Sequence, residues 1–490
     1  MPESKKFAFD VGLTFIATAV NMLLGIAISV MLGRLLGAED LGLYREVTTI
    51  YSIALVVGAL GVTGSITKYI AEFKSDPKRL NKIASAGVLS LLLFGFGTLA
   101  VIFLLSDWLA EFFNMPQLSF LFKVISIIFP FALLSQAFVS LVVGLREMKL
   151  YAAYTIIQSI LMGLTTFSLI HLGFGVMGAT AGLVISSAVS SVFILLVARG
   201  YFSIDLDDYS STIGELLKFS GPIFLANIVG LINTQADIVL IGHFLSPSNV
   251  GFYSVAIGIS RLLWVIPQSI QTITYPATAE YWAHKDQPAL QKMFDKSMKY
   301  TACIISFPGL FFAFFAPEIL TAIYGNGFIA SVTPMRILLV GTIVYGTMIS
   351  IGSSVTGAGR PDLGLKLGLI SAVTDLILNL ILIPYIGIIG AAIATVVSLI
   401  IATALGVYLT VKILAVKLDM QWYLIMMALI ALSLIGYSAL NELGNQIISG
   451  IVVLCIYAFA VGSLLIKSED RLFIFSLIQD ITHRIRIGQN

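Results

Sequence analysis

The chain has 490 residues, of which 58% are hydrophobic and 11% charged, and its mean hydropathy is +1.00. A soluble domain carries roughly a quarter charged residues because its surface faces water, so this composition excludes a soluble globular protein. The formal net charge of +2 is too small to predict a nucleic-acid partner. The two cysteines and four histidines are scattered, and neither a disulfide framework, a metal site nor a cofactor is expected.

Apolar runs of membrane-spanning length recur along the chain. About 20 mostly apolar residues cross the hydrocarbon core, where only helices and closed barrels satisfy their own backbone. The runs are continuously apolar rather than alternating with period two, which favours helices. We therefore predict an all-α polytopic membrane protein with about fourteen transmembrane helices. In chain order the spans are expected at residues 11–33, 44–70, 83–106, 119–144, 151–172, 178–198, 220–244, 250–276, 298–316, 331–356, 367–384, 388–411, 421–440 and 446–466.

Lys and Arg are concentrated in one set of the predicted connections. The opposite set holds only Arg34, Arg45, Lys123 and Arg336. Because cytoplasmic loops carry the excess of these residues, both termini are predicted to be cytoplasmic, in the plasma or inner membrane of the cell. The segment at residues 1–10 is short and polar, so the first span is expected to act as its own insertion signal.

Two pairs of segments indicate an internal repeat. Gly33–Tyr44 (GRLLGAEDLGLY) resembles Gly242–Tyr253 (GHFLSPSNVGFY), 209 positions later, and Gly175–Ser186 (GVMGATAGLVIS) resembles Gly387–Ser398 (GIIGAAIATVVS), 212 positions later. Parallel repeats related by an axis along the membrane normal are one of the common transporter plans. A duplicated bundle with a fixed pore, or with no transport, is the alternative.

The repeat divides the chain into five parts. Two six-helix pseudo-repeats in the same orientation are predicted, followed by two additional C-terminal helices. The tail places apolar residues at helical spacing beside two arginines, and lies along the inner membrane surface as an amphipathic segment or is disordered. The predicted parts are a first lobe at 1–199, a cytoplasmic connector at 200–219, a second lobe at 220–415, two spans at 416–467 and the tail at 468–490.

Charged residues within the predicted spans are candidates for function. A charge at the bilayer centre costs about 2.5–3.5 kcal/mol on insertion scales, so it usually faces a wet cavity or a partner. Arg261 lies near the middle of the span 250–276, and Asp237 lies in the preceding antiparallel span at a similar depth. The two either bind ligand or only pair with each other. An arginine in such a cavity suits a phosphate or carboxylate, which indicates an anionic substrate.

Asp375 and Asn379 lie one helical turn apart, on the same face of a predicted span. They either take part in coupling to Na+ or H+, together with Asp237, or brace two helices. Further candidates are polar residues of the first two and the seventh spans. For the substrate cavity these are Asn21, Asn227, Asn233 and Gln235; for the outer gate or rim, Arg34, Arg45 and Glu46; for the inner mouth, Lys68.

Common catalytic motifs are missing from the sequence. GxxxxGK[ST], HExxH and GxSxG do not occur, so ATP hydrolysis through a P-loop is not expected and the chain is predicted to be a transporter rather than an enzyme. The driving force would then come from an ion gradient, the membrane potential or the substrate gradient.

Two hairpins carry a family resemblance. Gly33–Phe73 (GRLLGAEDLGLYREVTTIYSIALVVGALGVTGSITKYIAEF) resembles the opening of the polysaccharide-exporter (flippase) branch of the multidrug/oligosaccharidyl-lipid/polysaccharide exporter superfamily. Asp237–Ala256 (DIVLIGHFLSPSNVGFYSVA) is similar to the seventh and eighth spans of that branch.

This resemblance implies a two-lobed, V-shaped bundle whose central cavity is lined by spans one, two, seven and eight. Alternating access would move a polyprenyl-pyrophosphate-linked sugar outward, among membrane lipids and alongside glycan-assembly enzymes. By the same resemblance Arg261 would match a basic cavity residue, and Arg34 and Arg45 basic residues near the outer mouth. Lipid II flippases carry several cavity arginines in the first two spans, whereas this chain has only Asn21 deep in the first span, which argues against a peptidoglycan precursor.

Two other functions stay open. A cation-coupled multidrug antiporter of the same superfamily needs carboxylates deep in the cavity, which Asp237 and Asp375 provide, whereas Arg261 would repel a cationic drug. A membrane glycosyltransferase or ligase would need carboxylates or histidines in a large loop, and the predicted loops are short.

Overall fold

The computed structural model of the chain describes residues 3–465 and, apart from residues 3–11 and Leu443, their side chains. The predicted tail at 468–490 lies outside the described residues. All regular elements of the described range are helical. In chain order they are α1 (Glu3–Ala59), α2 (Val62–Glu72), α3 (Pro77–Phe112), α4 (Gln117–Ser126), α5 (Ile128–Gly144), α6 (Met148–Leu169), a π-helical turn (Ile170–Phe174), α7 (Gly175–Ala198), α8 (Tyr209–Phe244), α9 (Pro247–Leu262), α10 (Val265–Ala283), α11 (Gln287–Phe314), α12 (Ala316–Tyr324), a 3₁₀ turn (Asn326–Ser331), α13 (Val332–Ile349), α14 (Ser354–Gly357), α15 (Pro361–Leu414), α16 (Met420–Leu443) and α17 (Gln446–Leu464).

Within the described residues, nine helical segments are long and apolar enough to cross a membrane, and two bent pairs, α4–α5 and α9–α10, qualify if each pair is one span. Three of the nine have 48, 51 and 54 residues, far more than the roughly 20 that one crossing needs. They are Gly12–Ala59, Met148–Ala198 and Pro361–Leu414.

The long segments contain backbone breaks at positions where the sequence predicts connections. In α1 the break is at Gly37 (φ 85°, ψ −175°), and in α15 it is at Gly387 (φ 62°, ψ −142°). These φ values lie where a residue with a Cβ is strained, so glycine suits both positions. The second half of α15 folds back on the first: the hydrogen bond between Ser398 Oγ and Asp375 Oδ1, at 3.4 Å, joins the two halves. In a straight helix, residues this far apart in sequence would be separated by about 34 Å.

Further breaks fall inside predicted spans, between α1 and α2, α4 and α5, α9 and α10, and α13 and α14. The predictions give one continuous helix for 119–144 and one for 250–276, whereas α4 and α5 are separated at Ile127, and α9 and α10 at Leu263–Trp264. Pro130 and Pro267 explain these two breaks. Proline has no N–H to donate to the carbonyl four residues earlier and its ring crowds that carbonyl, which interrupts the helix one turn before it.

Four helices begin with a polar side chain that accepts hydrogen bonds from the first turn. Asp76 accepts from the amides of Lys78 and Arg79, and Pro77 follows it at the first helical position of α3. These side chains satisfy amides that the helix itself leaves unpaired. The other three caps are Asp286 before α11, Asp419 before α16 and Asn445 before α17.

Close packing divides the chain into two compact units. The first comprises Met1–Ile257, Leu320–Pro334 and Gly368–Ser398, and one of its cores is built around Ile66, Phe138 and Leu141. It contains α8 and the part of α15 on either side of its break, which form the candidate site described below.

The second unit comprises Gly258–Ile319, Met335–Leu367 and the described residues from Leu399 onward. In it, α16 and α17 pack on α11: Tyr437 stacks on Phe314 with ring centroids 4.4 Å apart, and the Tyr457 hydroxyl donates to Ser306 Oγ at 2.7 Å. The two spans predicted after the repeat therefore contribute to the core of this unit.

Candidate functional site

A buried cluster of acidic and hydroxyl side chains joins α8, α9 and both halves of α15. Asp237 and Asp375 are 2% and 3% exposed, and Asn379 is fully buried. The amide nitrogen of Asn379 donates to Asp237 Oδ1 at 2.9 Å and to Asp375 Oδ2 at 3.1 Å. One amide thus links two carboxyl groups that are far apart in sequence.

Hydroxyl groups complete the cluster. The Tyr253 hydroxyl donates to Asp237 Oδ2 at 2.8 Å, and Thr395 Oγ1 donates to the same oxygen at 3.1 Å. Ser398 donates to Asp375 Oδ1 at 3.4 Å. We call these six residues the acidic cluster: Asp237, Tyr253, Asp375, Asn379, Thr395 and Ser398.

Charge balance decides what the acidic cluster can do chemically. The hydrogen-bond partners of Asp237 in the described chain are all neutral, and a buried carboxylate without a cationic partner is costly. The side-chain oxygen of Asn379 is buried and has no hydrogen-bond partner among the described residues. Carboxylate, amide and hydroxyl oxygens are ligands that suit hard cations.

A second feature is a cavity of about 510 Å³ between α1, α2, α5 and α8, which we call the neutral cavity. Its polar lining consists of amide and hydroxyl side chains, and none of the residues that line it is charged. Asn227, a predicted substrate-cavity residue, and Thr234 line it from α8. The complete lining is Val56, Ala59, Thr63, Gln136, Val139, Ser140, Ala226, Asn227, Gly230, Leu231 and Thr234.

A smaller cavity of about 240 Å³ lies further along α8 and has mostly aliphatic walls, including Ile53, Val239 and Leu376. Gln235, a predicted cavity residue, is among its lining residues and accepts a hydrogen bond from Thr49 at 3.5 Å. Asn233 is placed differently. Its amide donates to the carbonyl oxygens of Val229 and Gly368, at 3.0 and 2.9 Å, so it ties α8 to α15. Asn21 is exposed on α1.

The two repeat-like hairpins of the first unit contact each other. Built Cβ atoms on Gly42 and on Gly251 would overlap the carbonyl oxygens of Pro247 and of Ala38, respectively. Both glycines therefore permit a backbone approach that no other residue would allow. Arg34, beside this contact, donates to the carbonyl oxygens of Ala322 and Ile323 at the end of α12.

The remaining predicted rim and mouth residues have distinct environments. Glu46 is fully buried beside Gly242, and neither carboxyl oxygen has a hydrogen-bond partner among the described residues. Arg45 is half-buried. Lys68 pairs with Glu72 and lies 3.7 Å above the Tyr69 ring, at a half-exposed position.

Arg261 lies in the last turn of α9, immediately before the break at Leu263–Trp264. Its guanidinium is half-buried and lies 5.6 Å from the centroid of the Trp264 ring, and Trp264 in turn packs 5.4 Å from Tyr345. The predicted pairing of Arg261 with Asp237 stays a prediction.

Sequence reasoning found part of the acidic cluster and little of the neutral cavity. Asp237, Asp375 and Asn379 were predicted, and the structure brings all three together. Tyr253, Thr395 and Ser398 were missed as site residues, although all three lie in the repeated segments. Gln136, Thr63 and Ser140 were missed because single polar residues in apolar spans are common and carry no spacing signal.

Comparison with known proteins places this geometry in a family. Residues 31–333 match the family described as "Polysaccharide biosynthesis protein". The chain is 26% identical over 272 residues to the "Probable flippase AglR" of Haloferax volcanii, with 54% of this chain and 55% of that relative covered. The alignment thus spans about half of the length of this relative.

Solved structures share the fold. "Lipid II flippase MurJ, inward closed conformation" superposes with a TM-score of 0.73 at 16% identity, covering 91% of this chain and 98% of that one. An inward-facing "multidrug resistance MATE family transporter of the MOP superfamily" gives 0.68 at 18% identity, covering 81% and 95%. The predicted resemblance to the flippase branch of the exporter superfamily is confirmed, and the chain is a multi-pass membrane protein. Because the family match covers more than half of its residues, the chain belongs to the polysaccharide biosynthesis protein family.

Proposed function

We propose that this protein is a flippase that moves a lipid-pyrophosphate-linked sugar outward across the plasma or inner membrane by alternating access. The observation that carries the proposal is the neutral cavity, a space of about 510 Å³ lined by hydrogen-bonding groups within a bundle of apolar helices. The family is named for polysaccharide biosynthesis, and AglR is named a probable flippase. Glycan-assembly enzymes would supply the substrate on the cytoplasmic side.

Two parallel repeats of six spans each, followed by two additional C-terminal spans, are the architecture we propose for this function. The breaks in α1 and α15 and the turn between α6 and α7 divide three long segments, and two bent pairs add one span each. Two related contacts support the repeat. Asp76 and Asp286, 210 positions apart, both cap the helix that follows them. Asn81 and Gln291, also 210 apart, both accept a hydrogen bond from the amide of a later loop residue, Ser203 and Lys417 respectively.

The contact between the hairpins at Gly42 and Gly251 is the outer gate in this proposal. The excess of Lys and Arg in the other loops assigns both hairpins to the outer side and both termini to the cytoplasm. Gly42 contacts Pro247, and Gly251 contacts Ala38. Gly251 is the repeat equivalent of Gly42 and Pro247 that of Ala38, each 209 positions later, so the two hairpins make the contact with equivalent residues. Separating them would open the outer side, with Arg34, Arg45 and Glu46 close to the moving parts.

The acidic cluster is the coupling site in this proposal, and it would bind Na+ or a proton. A cation there would neutralise two buried carboxyl groups that α8 and both halves of α15 bring together. Since hydrogen bonds in the cluster join α8, α9 and both halves of α15, occupancy can alter their packing, which is what coupling requires. Arg261 would bind the pyrophosphate, whose oxygens match a guanidinium, and Lys68 would lie at the inner mouth.

The test is reconstitution in proteoliposomes with a fluorescent polyprenyl-diphosphate-linked sugar. Wild-type protein should move the lipid between leaflets, and Arg261→Ala should abolish movement while the protein remains folded and inserted. Protein that moves no lipid-linked sugar under an imposed Na+ or H+ gradient would refute the flippase. Wild-type activity in Arg261→Ala would remove Arg261 from the substrate site.

Cation-coupled drug export is the second candidate, because the fold is shared with a MATE transporter and the acidic cluster holds two carboxyl groups. The neutral cavity argues against it, since a cationic drug would find no carboxylate among the residues that line this space. Overexpression that raises drug resistance through Asp237 and Asp375, without lipid movement, would favour the antiporter.

A further inference from the structure

The neutral cavity has a lining whose chemistry selects among the parts of a lipid-linked sugar. Such a molecule has an apolar tail, a doubly charged pyrophosphate and a sugar rich in hydroxyl groups. Pyrophosphate needs cationic partners, and none of the lining residues carries a charge. An apolar tail would leave the amides of Gln136 and Asn227 without hydrogen bonds, which is costly.

Sugar hydroxyl groups match this lining. Each hydroxyl both donates and accepts, as do the amides of Gln136 and Asn227 and the hydroxyls of Thr63 and Ser140. Asn227, Gly230 and Thr234 recur at helical spacing on α8, so they form one face of that helix toward the cavity. Gln136 and Ser140 lie one turn apart on α5.

The space is large enough for a sugar unit. Its volume of about 510 Å³ falls within the range of about 300–1,000 Å³ typical of small-molecule sites. A Cβ built on Gly230 would meet no atom within 4 Å, so this glycine keeps room open at the wall of the cavity.

We propose that the neutral cavity is a subsite that binds an uncharged sugar ring of the transported lipid, an inference that rests on the flippase function proposed above. It follows that the protein selects its cargo by the sugar as well as by the pyrophosphate. A uronic acid at the same place would put a carboxylate against a lining with no cation. The subsite therefore discriminates neutral from acidic sugars.

The experiment compares three fluorescent polyprenyl diphosphates in proteoliposomes: one without sugar, one carrying N-acetylglucosamine and one carrying glucuronic acid. Wild-type protein should move the N-acetylglucosamine lipid about tenfold faster than the glucuronic acid lipid. Gln136→Ala and Asn227→Ala should each slow the neutral-sugar lipid about three- to tenfold, as expected for the loss of one or two hydrogen bonds, and should slow the sugar-free lipid less.

Gly230→Leu should slow the neutral-sugar lipid further by filling the cavity. The matched control is Gly97→Leu, at an exposed helical glycine of α3 that also has no atom within 4 Å of a built Cβ. Size-exclusion profiles and thermal unfolding of each variant in detergent report whether it is folded.

The outcomes separate the two proposals. Equal slowing of all three lipids by the cavity variants, or slowing of none, would overturn the sugar subsite while leaving the flippase intact. If the wild type moves no lipid, the flippase fails. Equilibrium dialysis of the radiolabelled N-acetylglucosamine lipid with purified protein then still decides the subsite: binding weakened by Gln136→Ala supports it, and unchanged binding refutes it.

Discussion

The acidic cluster and the neutral cavity share α8 and differ in nearly every physical respect. At Asp237 the helix is buried and its side chain is held by three hydrogen bonds, whereas one turn earlier Thr234 faces open space. The cluster contains two carboxyl groups and little room, and the cavity contains room and no charge. A small cation suits the first and a hydroxyl-rich ligand the second.

Under the functions proposed above, one helix would serve two ligands. Asn227, Gly230 and Thr234 contribute to the open lining of the neutral cavity, while Asp237 belongs to a hydrogen-bond network that joins α8 to α9 and α15. A change in occupancy of the acidic cluster that shifts α8 would therefore also shift the residues of α8 that line the neutral cavity. Variants at the two places should fail in different ways, and the difference can be measured.

The largest effect is expected from removing Asp237. Asp237→Ala leaves Tyr253, Asn379 and Thr395 without their common acceptor in a buried place, and should destabilise the fold by at least about 2 kcal/mol and reduce lipid movement about 100-fold or more. Thermal unfolding and flipping rates measure the two effects. Glu111→Ala, at an exposed acidic residue of α3 in the same unit, is the control and should match the wild type. Near-native stability of Asp237→Ala would show that the cluster does not hold the three helices together.

A smaller loss of stability is expected from removing either of two asparagine side chains, and the two losses should differ. Asn379→Ala removes the group that bridges two carboxyl groups and should cost about 1–3 kcal/mol of unfolding free energy. Asn233→Ala removes bonds to backbone carbonyls only and should cost less, with no change in the dependence of transport on Na+ or pH. Unfolding in detergent and ion titrations of the flipping rate give the comparison. Equal ion dependence in both variants would argue against a coupling site at Asn379.

The same Thr→Val substitution can be made in the acidic cluster and in the neutral cavity, so that only the surroundings of the lost hydroxyl differ. Thr395→Val replaces a buried hydroxyl of the cluster and should cost about 1 kcal/mol in stability. Thr63→Val replaces a hydroxyl that lines the cavity and should change stability by less than about 0.5 kcal/mol, while it slows the neutral-sugar lipid a few-fold. If Thr63→Val destabilised the protein as much as Thr395→Val, the cavity would not be an open space.

The smallest effect is expected at an exposed ion pair. Lys82 donates to Asp208 at 2.7 Å, and this hydrogen bond lowers the pKa of the Asp208 carboxyl from its ordinary value of 3.8. A carboxyl group whose pKa is lowered in the folded protein stabilises the fold at pH values above its ordinary pKa. This stabilisation is lost as the pH falls through the lowered pKa. Asp208→Asn should hardly change stability at neutral pH, and the difference from wild type should vanish in acid. A large effect on unfolding would contradict the view that charge matters mainly in the buried cluster.

Sequence patterns predicted the helices and several of the turns between them, because apolar runs and glycine-containing connections are local features. The breaks at Gly37 and Gly387 lie in predicted connections. The breaks before Pro130 and Pro267 were not placed, since proline inside a membrane helix is tolerated when neighbours satisfy the freed carbonyl.

The candidate site was predictable only where it was local. Asp375 and Asn379 are one turn apart, so helical spacing placed them on one face. Their meeting with Asp237 depends on which helices pack together, and no local pattern carries that information. The neutral cavity is defined by the absence of side chains that fill it, which a sequence does not display.

The fold-back of α15 makes the cluster sensitive to helix register. Thr395 and Ser398 reach the carboxyl groups only because the segment after Gly387 runs back with one particular rotation about its axis. Inserting a single residue between Gly387 and Thr395 would turn both hydroxyls by about 100° and shift them by about 1.5 Å, away from both aspartates. This seven-residue stretch should therefore tolerate substitutions more readily than insertions or deletions, even at positions whose side chains contact only lipid.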